Sequence, residues 1–382
     1  MSGNPSLSSK QRHEDERFMA AALSFGQRAR GRSWPNPSVG ALLVKDEGSG
    51  PVVVGQGATM PAGGAHAEVQ ALAKAGGRAN GATAYVTLEP CAHYGRTGPC
   101  ALALVKAGVA RVVFGCSDPN PEVGGKGKKI LEEAGVEVIS GILERECRAS
   151  VIGHITRLVH ARPHIQLKMA LSNDGFIGQK GKGQVAISSP ESRRLVHAMR
   201  AQVDAILVGI GTVLEDDPEL TCRLAGLEHL SPVRVVVDSH ARLPLNSKLV
   251  QTSASTPLWV LVGQGAVPER CATLEAAGAK VLRCQQRNGH VHLPHAMKEL
   301  ATAGITKVMV EGGAHVARAL LNDRLIDEAM IFQGAKIIGA DGLKPFVEGS
   351  LELLNNKGHF THELLRRVSG DILWRYSFKE TS

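Results

Sequence analysis

Aromatic side chains are scarce in this chain: three Trp, three Tyr and eight Phe make up 4% of 382 residues. Surfaces that grip single-stranded nucleic acid stack bases on aromatic rings, so the scarcity weighs against a polynucleotide partner. A net charge of +8 and a pI near 9.2 do not reverse this, because the one basic cluster, Lys126-Gly127-Lys128-Lys129, is short. A phosphate-bearing small substrate and a phosphorylated cofactor account for the positive excess about as well. Long apolar runs are missing too. Phe18 to Phe25 is too short for a membrane span or a signal-peptide core, Met1 to Arg17 is polar and charged, and nothing else reaches about 18 uninterrupted apolar residues. These absences point to a cytoplasmic protein with no membrane partner. Nor is there a cysteine framework. Seven is an odd number, and Cys116, Cys147, Cys222, Cys271 and Cys284 are scattered, which suits reduced thiols in a reducing compartment.

What is present suffices for two globular domains. The chain exceeds one typical domain of about 100–200 residues, and with 43% hydrophobic and 21% charged residues each half can bury a core.

The sharpest chemistry lies between residues 66 and 100. His66 with Cys91 and Cys100 offers one imidazole and two thiolates, three protein ligands for a tetrahedral Zn²⁺ that keeps its fourth position for water. Zinc lowers the pKa of water from about 15.7 to about 7, which makes a nucleophile available at neutral pH. Glu68, two residues from the histidine and not itself a ligand, suits the proton transfers that expel an amine. Residues two apart in a regular helix point about 200° apart, so His66 and Glu68 converge only at a helix start. Gly63-Gly64 supplies a flexible entry, and Val69 to Ala75 reads as the helix that follows. Ala84 to Leu88 reads as a buried strand ended by Glu89-Pro90, with Cys91 near a turn. A lone His-Ala-Glu is usually a surface turn and a lone Cys a buried small residue, but both in this order, with Pro before the first Cys, match the zinc-deaminase pattern. Eight residues, Ala92 to Pro99, separate the cysteines and form a loop carrying His93 and Arg96.

The rest of the first half reads as a mixed or parallel sheet with helices on both faces. Glu14 to Ala29 is an amphipathic helix, Ala41–Val44 and Val52–Gly55 form a hairpin, Val109 to Cys116 is a strand, Gly127 to Ala134 a helix and Val136 to Ile139 a strand. Ligands in such sheets lie at the carboxyl ends of strands, where Asp118 and Asn120 fall beside Cys91 and His93. Leu143 to Val159 reads as one long helix, and His160-Ala161-Arg162-Pro163 breaks the pattern at a domain boundary. Beyond it, Ala205–Gly209, Val233–Asp238, Leu258–Val262 and Lys307–Val310 are strand-length apolar runs. Helical segments fall between them, including Ser189–Ala201 and Ala314–Asn322, so this half is a doubly wound sheet. Gly209-Ile210-Gly211 is a weak nucleotide signal. Glu311-Gly312-Gly313 is better placed to receive a pyrophosphate on a helix start.

Taken in order, Asn36-Pro37-Ser38-Val39-Gly40, His66-Ala67-Glu68, Glu89-Pro90-Cys91-Ala92-His93, Gly95-Arg96-Thr97 and Asp118-Pro119-Asn120-Pro121 resemble the deaminase half of the bifunctional riboflavin-biosynthesis deaminase/reductase family. Lys168 to Gly175, Arg200-Ala201, Gly211-Thr212-Val213, Asp216-Asp217-Pro218, Leu220 to Arg223 and Glu311-Gly312-Gly313 resemble its reductase half. The chain departs from the family at Gly98, at Asn173, and at Gln184 and Ala186, where relatives carry serine and tryptophan. The resemblance implies an N-terminal cytidine-deaminase-like α/β/α domain over residues 1–160 and a dihydrofolate-reductase-like doubly wound α/β domain over 163–382. It implies zinc and NADPH as cofactors and a phosphorylated pyrimidine as substrate, deaminated in one domain and reduced at its ribose in the other. It further implies a homo-oligomer, a dimer through the reductase domain.

By the same resemblance Asn36, His93, Arg96, Asp118 and Asn120 are substrate contacts of the deaminase. Lys168, Gln184, Arg200, Leu220, Arg223 and Glu311 are those of the reductase. Ala170, Ala186, Thr212, Asp216, Ser239 and Gly313 face NADPH, and Lys168 also assists a proton. Arg96, Arg200 and Arg223 have the chemistry for a substrate phosphate. Two other readings are a tRNA or free-nucleoside deaminase with an appended nucleotide-binding domain, and a zinc-stabilised module without catalysis. Glu68 discriminates against the second, since a structural site has no use for it.

Overall fold

In the computed structural model the described residues are 8–94, 98–120, 124–183, 185–347, 351–355 and 359–379. The chain divides into two compact units between Ala161 and Arg162.

The first unit is built on five strands in the order Pro51–Ala58, Gly40–Asp46, Thr83–Leu88, Arg111–Cys116, Glu137–Ser140. The first three are antiparallel neighbours and the last three parallel. Thr83–Leu88 and Arg111–Cys116 are buried along nearly their whole length, so helices must cover both faces. One of these, Ser9–Gly26, begins earlier than the apolar spacing suggests because the Ser8 hydroxyl accepts the Gln11 N–H and caps it. Its Phe18, Met19 and Ala22 join Tyr85 in the core. The helix Ala67–Ala75 lies directly on the outer strand. A Cβ on Gly55 would stand 2.2 Å from the Ala71 carbonyl oxygen, and one on Gly57 2.1 Å from that of Ala67.

The single helix expected over Leu143–Val159 is two, Glu144–Ser150 and Ile152–His160. Val151 leaves helical geometry (φ −115°, ψ 21°), and the Ser150 hydroxyl closes the first helix by donating to the Cys147 carbonyl at 2.7 Å. Cys147 and Ile155, one from each helix, both reach the core.

The second unit holds a nine-stranded sheet ordered Lys280–Cys284, Leu258–Gly263, Val233–Val237, Ala205–Gly209, Lys307–Glu311, His164–Leu171, Glu328–Gln333, Asp371–Phe378, Phe360–Val368. The first seven are parallel and the last two add an antiparallel hairpin. Chain order reverses around His164–Leu171 and Lys307–Glu311, so a crevice opens at their carboxyl ends. The apolar runs foretold Ala205–Gly209, Val233–Val237, Leu258–Gly263 and Lys307–Glu311, but not Lys280–Cys284 or Glu328–Gln333. The hairpin escaped notice because seven of the nine residues of Phe360–Val368 are exposed, leaving no alternation to read.

Candidate functional site

His66 is the residue before the helix Ala67–Ala75, with extended backbone (φ −69°, ψ 162°), while Glu68 sits in the helix's first turn. That change of backbone between them removes the 200° divergence of a regular helix and lets both side chains serve one site. Cys91 follows Thr83–Leu88 through Glu89-Pro90, and Cys100 opens the helix Cys100–Lys106. The His66 Nδ1 lies 3.6 Å from Cys91 Sγ and 3.3 Å from Cys100 Sγ, and the Cys100 N–H donates to Cys91 Sγ at 3.4 Å. The three ligand atoms lie within 4.8 Å of one another, and no other such group of three occurs among the described residues.

The donor set fits zinc. Two thiolates and an imidazole are the ligands this cation takes. The hydrogen bond from Cys100 holds the Cys91 thiol down at about 4, while its bond to Cys91 and burial push the Cys100 thiol up. A dication stabilises both thiolates at once. Glu68, 5% exposed, stands apart from the ligand group, and burial pushes its carboxyl up to about 7.

Around the cluster the structure gathers part of the expected set. Asp118 and Asn120 follow the end of Arg111–Cys116, with the Asn120 N–H donating to Asp118 Oδ1 at 2.9 Å. Burial raises the Asp118 carboxyl, but His154, the Asn120 amide and the charge of His93 outweigh it and leave it below its ordinary value. His154 Nε2 is 3.9 Å from Asp118 Oδ2. His93 is exposed. Asn36 is placed by its backbone, whose N–H donates to the Ser33 carbonyl at 2.9 Å and whose carbonyl accepts the Ser33 hydroxyl at 3.0 Å. Arg96 lies outside the described residues. Glu89, read from sequence only as the end of a strand, has a larger place. Its buried carboxylate accepts three backbone N–H groups, from Asp118, Gly125 and Lys128. An acid immediately before proline at the end of an apolar strand was the signal for it.

In the second unit a cleft of about 1790 Å³ lies at the carboxyl ends of the parallel strands. The strand His164–Leu171 contributes Lys168 and Ala170, and the end of Lys307–Glu311 contributes Glu311 and Gly313. Thr212 and Asp216 come from the short helix Ile210–Asp216, and Ser239 from the turn after Val233–Val237. Arg200 projects from the helix Pro190–Arg200, Leu220 and Arg223 from the loop beyond Asp216, and Ala186 from the loop before Ser189. Gln184 is outside the described residues.

Charge in this cleft is paired. Arg200 donates from Nε and Nη2 to the two oxygens of Glu311 at 2.7 and 2.9 Å and from Nη1 to the Thr221 carbonyl at 2.9 Å. Lys168 Nζ approaches Glu311 at 3.9 Å. Burial alone raises the Glu311 carboxyl, yet Arg200 and Lys168 bring it down to about 2, while burial lowers the Lys168 ammonium. Arg200 therefore spends its donors on the Glu311 carboxylate and the Thr221 carbonyl, whereas Arg223 is more open. That residue is half exposed and, among the described residues, forms its ion pair with the similarly exposed Glu219 at 3.0 Å. Gly312 and Gly313 both take positive φ (88° and 87°) between the strand and the helix Ala314–Asn322, a conformation that favours glycine. Thr212 Oγ1 would stand 3.3 Å from a Cβ on Gly313. The Ser239 hydroxyl accepts the Val291 N–H at 2.9 Å.

Residues 12–116 match the family described as the cytidine and deoxycytidylate deaminase zinc-binding region, and residues 163–364 match the RibD C-terminal domain. The chain is 38% identical to the riboflavin biosynthesis protein RibD of Escherichia coli K12, over 94% of this chain and 98% of that one. It is equally identical to that of Aquifex aeolicus over 86% and 89%. Among solved structures, Acinetobacter baumannii RibD superposes with a TM-score of 0.84 at 34% identity, covering 97% of this chain and 100% of that one. The diaminohydroxyphosphoribosylaminopyrimidine deaminase/5-amino-6-(5-phosphoribosylamino)uracil reductase of Thermotoga maritima superposes at 0.82 with 30% identity, covering 96% and 99%. With a His/Cys/Cys cluster in one unit and a paired-charge cleft in the other, the chain belongs to the RibD family of bifunctional deaminase/reductases of riboflavin biosynthesis.

Proposed function

We propose that residues 1–160 hydrolytically deaminate the diamino-ribosylamino-pyrimidinone 5′-phosphate and that residues 163–382 then reduce the ribose of the resulting amino-ribosylamino-uracil 5′-phosphate to the ribityl form with NADPH. The observation that carries this is the convergence of His66, Cys91 and Cys100 beside the buried, non-ligating Glu68. The substrate name of the Thermotoga maritima relative supports the choice of pyrimidine.

His66, Cys91 and Cys100 hold zinc, which when bound makes water acidic enough to serve as nucleophile near neutral pH. Glu68 takes a proton from the attacking water and delivers it to the ring nitrogen, then passes the remaining hydroxyl proton to the departing amine, which leaves as ammonia. Its burial keeps bulk water from competing for that proton. Asn36, His93, Arg96, Asp118 and Asn120 orient the ring, the ribose and the phosphate.

In the reductase the nicotinamide supplies the hydride. Glu311, fixed by Arg200, offers carboxylate oxygens to ring N–H or ribose O–H groups. Lys168, beside it, holds the ribose and moves a proton, and Arg223 meets the phosphate. Gln184 and Leu220 complete the substrate wall. Ala170, Ala186, Thr212, Asp216, Ser239 and the Gly313 turn receive NADPH, whose pyrophosphate suits the start of Ala314–Asn322. The seven free cysteines suit a cytoplasmic setting, and the chain acts as a homo-oligomer, a dimer through the reductase domain.

The test is ammonia release followed against NADPH oxidation on one preparation of known zinc content. Ammonia released without NADPH, and NADPH consumed only after that release, support the reading. Zinc near one per chain with neither signal refutes the substrate.

A further inference from the structure

We propose that Glu89 is a positioning residue of the deaminase, locking the segment that carries Asp118 and Asn120 onto the Glu89-Pro90-Cys91 turn so that substrate groups and metal ligands move as one body. This rests on the reading of Asp118 and Asn120 as substrate contacts.

Glu89 is 5% exposed, and among the described residues it has no ion pair. An isolated buried carboxylate is costly unless its oxygens are filled. Here Oε2 accepts the N–H of Gly125 at 3.1 Å and that of Asp118 at 3.4 Å, and Oε1 accepts that of Lys128 at 3.2 Å. Two of these donors belong to the start of the helix Lys126–Glu133, which begins after Gly125 and so has no side-chain cap of its own. The cap comes from another element of the fold, and the helix dipole favours its negative charge.

Contact on the same side reinforces the tie. A Cβ on Gly127 would stand 1.9 Å from the Pro90 carbonyl oxygen, so the helix start rests on the residue before Cys91. The segment between is tied to itself, with the Gly124 N–H on the Asn120 carbonyl at 2.7 Å and the Asn120 N–H on Asp118 Oδ1 at 2.9 Å. A shift at Glu89 is therefore passed to Asp118 and Asn120. Only a carboxylate accepts on both oxygens. An amide presents an NH₂ group to at least one of these N–H donors.

The experiment uses the full chain carrying Glu89→Gln, Asp118→Ala and both together, with zinc content, deaminase KM and kcat, and reductase rate on the deaminated substrate. We expect Glu89→Gln to keep its zinc and its reductase rate and to raise the deaminase KM about 10- to 100-fold, with a smaller fall in kcat. The double variant should be little worse than Asp118→Ala alone. Loss of zinc, an unchanged KM beside a raised one for Asp118→Ala, or full additivity overturns the proposal. An unchanged KM in Asp118→Ala itself refutes the substrate reading of the segment, and the proposal with it. Should Glu89→Gln fail to fold, Gly127→Ala lifts the helix off Pro90 while the carboxylate itself is kept, 3.4 Å from the added methyl, and the same KM rise with zinc retained is required of it.

Discussion

The two clefts hold charge in opposite ways. Around His66 the ligand atoms are two sulfurs and an imidazole, a set completed by a dication, which stabilises both sulfurs as thiolates. In the reductase a carboxylate is already engaged: Arg200 and Lys168 both face Glu311, a trio that keeps one net positive charge. The difference follows from who performs the chemistry. A hydrolytic deamination needs protein groups that carry protons and a metal. A cofactor-borne hydride transfer needs a surface that orients and does not compete.

The largest test of the contrast is Glu68→Gln, which should lower deamination about 10²–10⁴-fold with zinc retained and the reductase rate untouched. Chelation should likewise end deamination alone. A parallel fall in reduction would break the separation. Next is Glu311→Gln, which leaves Arg200 and Lys168 buried against a neutral amide. Breaking such a pair costs about 3–5 kcal/mol, to be read as an earlier urea transition of the reductase unit with zinc content unchanged.

The same group predicts a pH effect. The folded Glu311 carboxyl sits at about 2, below its ordinary 4.5, so its stabilisation is complete above pH 4.5 and is lost as pH falls towards 2. The gap in unfolding free energy between wild type and Glu311→Gln should therefore narrow across that window. The smallest effect belongs to Gly313→Ala. A side chain at φ 87° costs on the order of 1–2 kcal/mol and weakens NADPH binding, measurable by fluorescence titration while deamination stays constant.

Legibility divides along the same line. The zinc ligands could be read from sequence because coordination demands fixed residue types and each stands at a local landmark, a helix start or a strand end. Glu68 could be read because only a helix N-terminus reconciles its spacing with His66. The reductase positions were found by resemblance, since Ala170, Thr212 and Ser239 have no chemistry of their own and meet only through strand order. The Arg200–Glu311 pair was not foreseen, because the two lie 111 positions apart and no local pattern encodes the pairing. Glu89 was hidden for a related reason: its partners are backbone N–H groups, which every sequence has. The break at Val151 went unseen because apolar spacing continues across it.

The absence of side chains at Gly55 and Gly57 reaches further than packing. The helix that begins with Ala67 and carries Glu68 rests on those two positions with no room for a methyl group. A mutational scan scored only by deamination would rank both glycines with the metal ligands, although neither is among the candidate site residues. Their intolerance would report the height of that helix above its sheet.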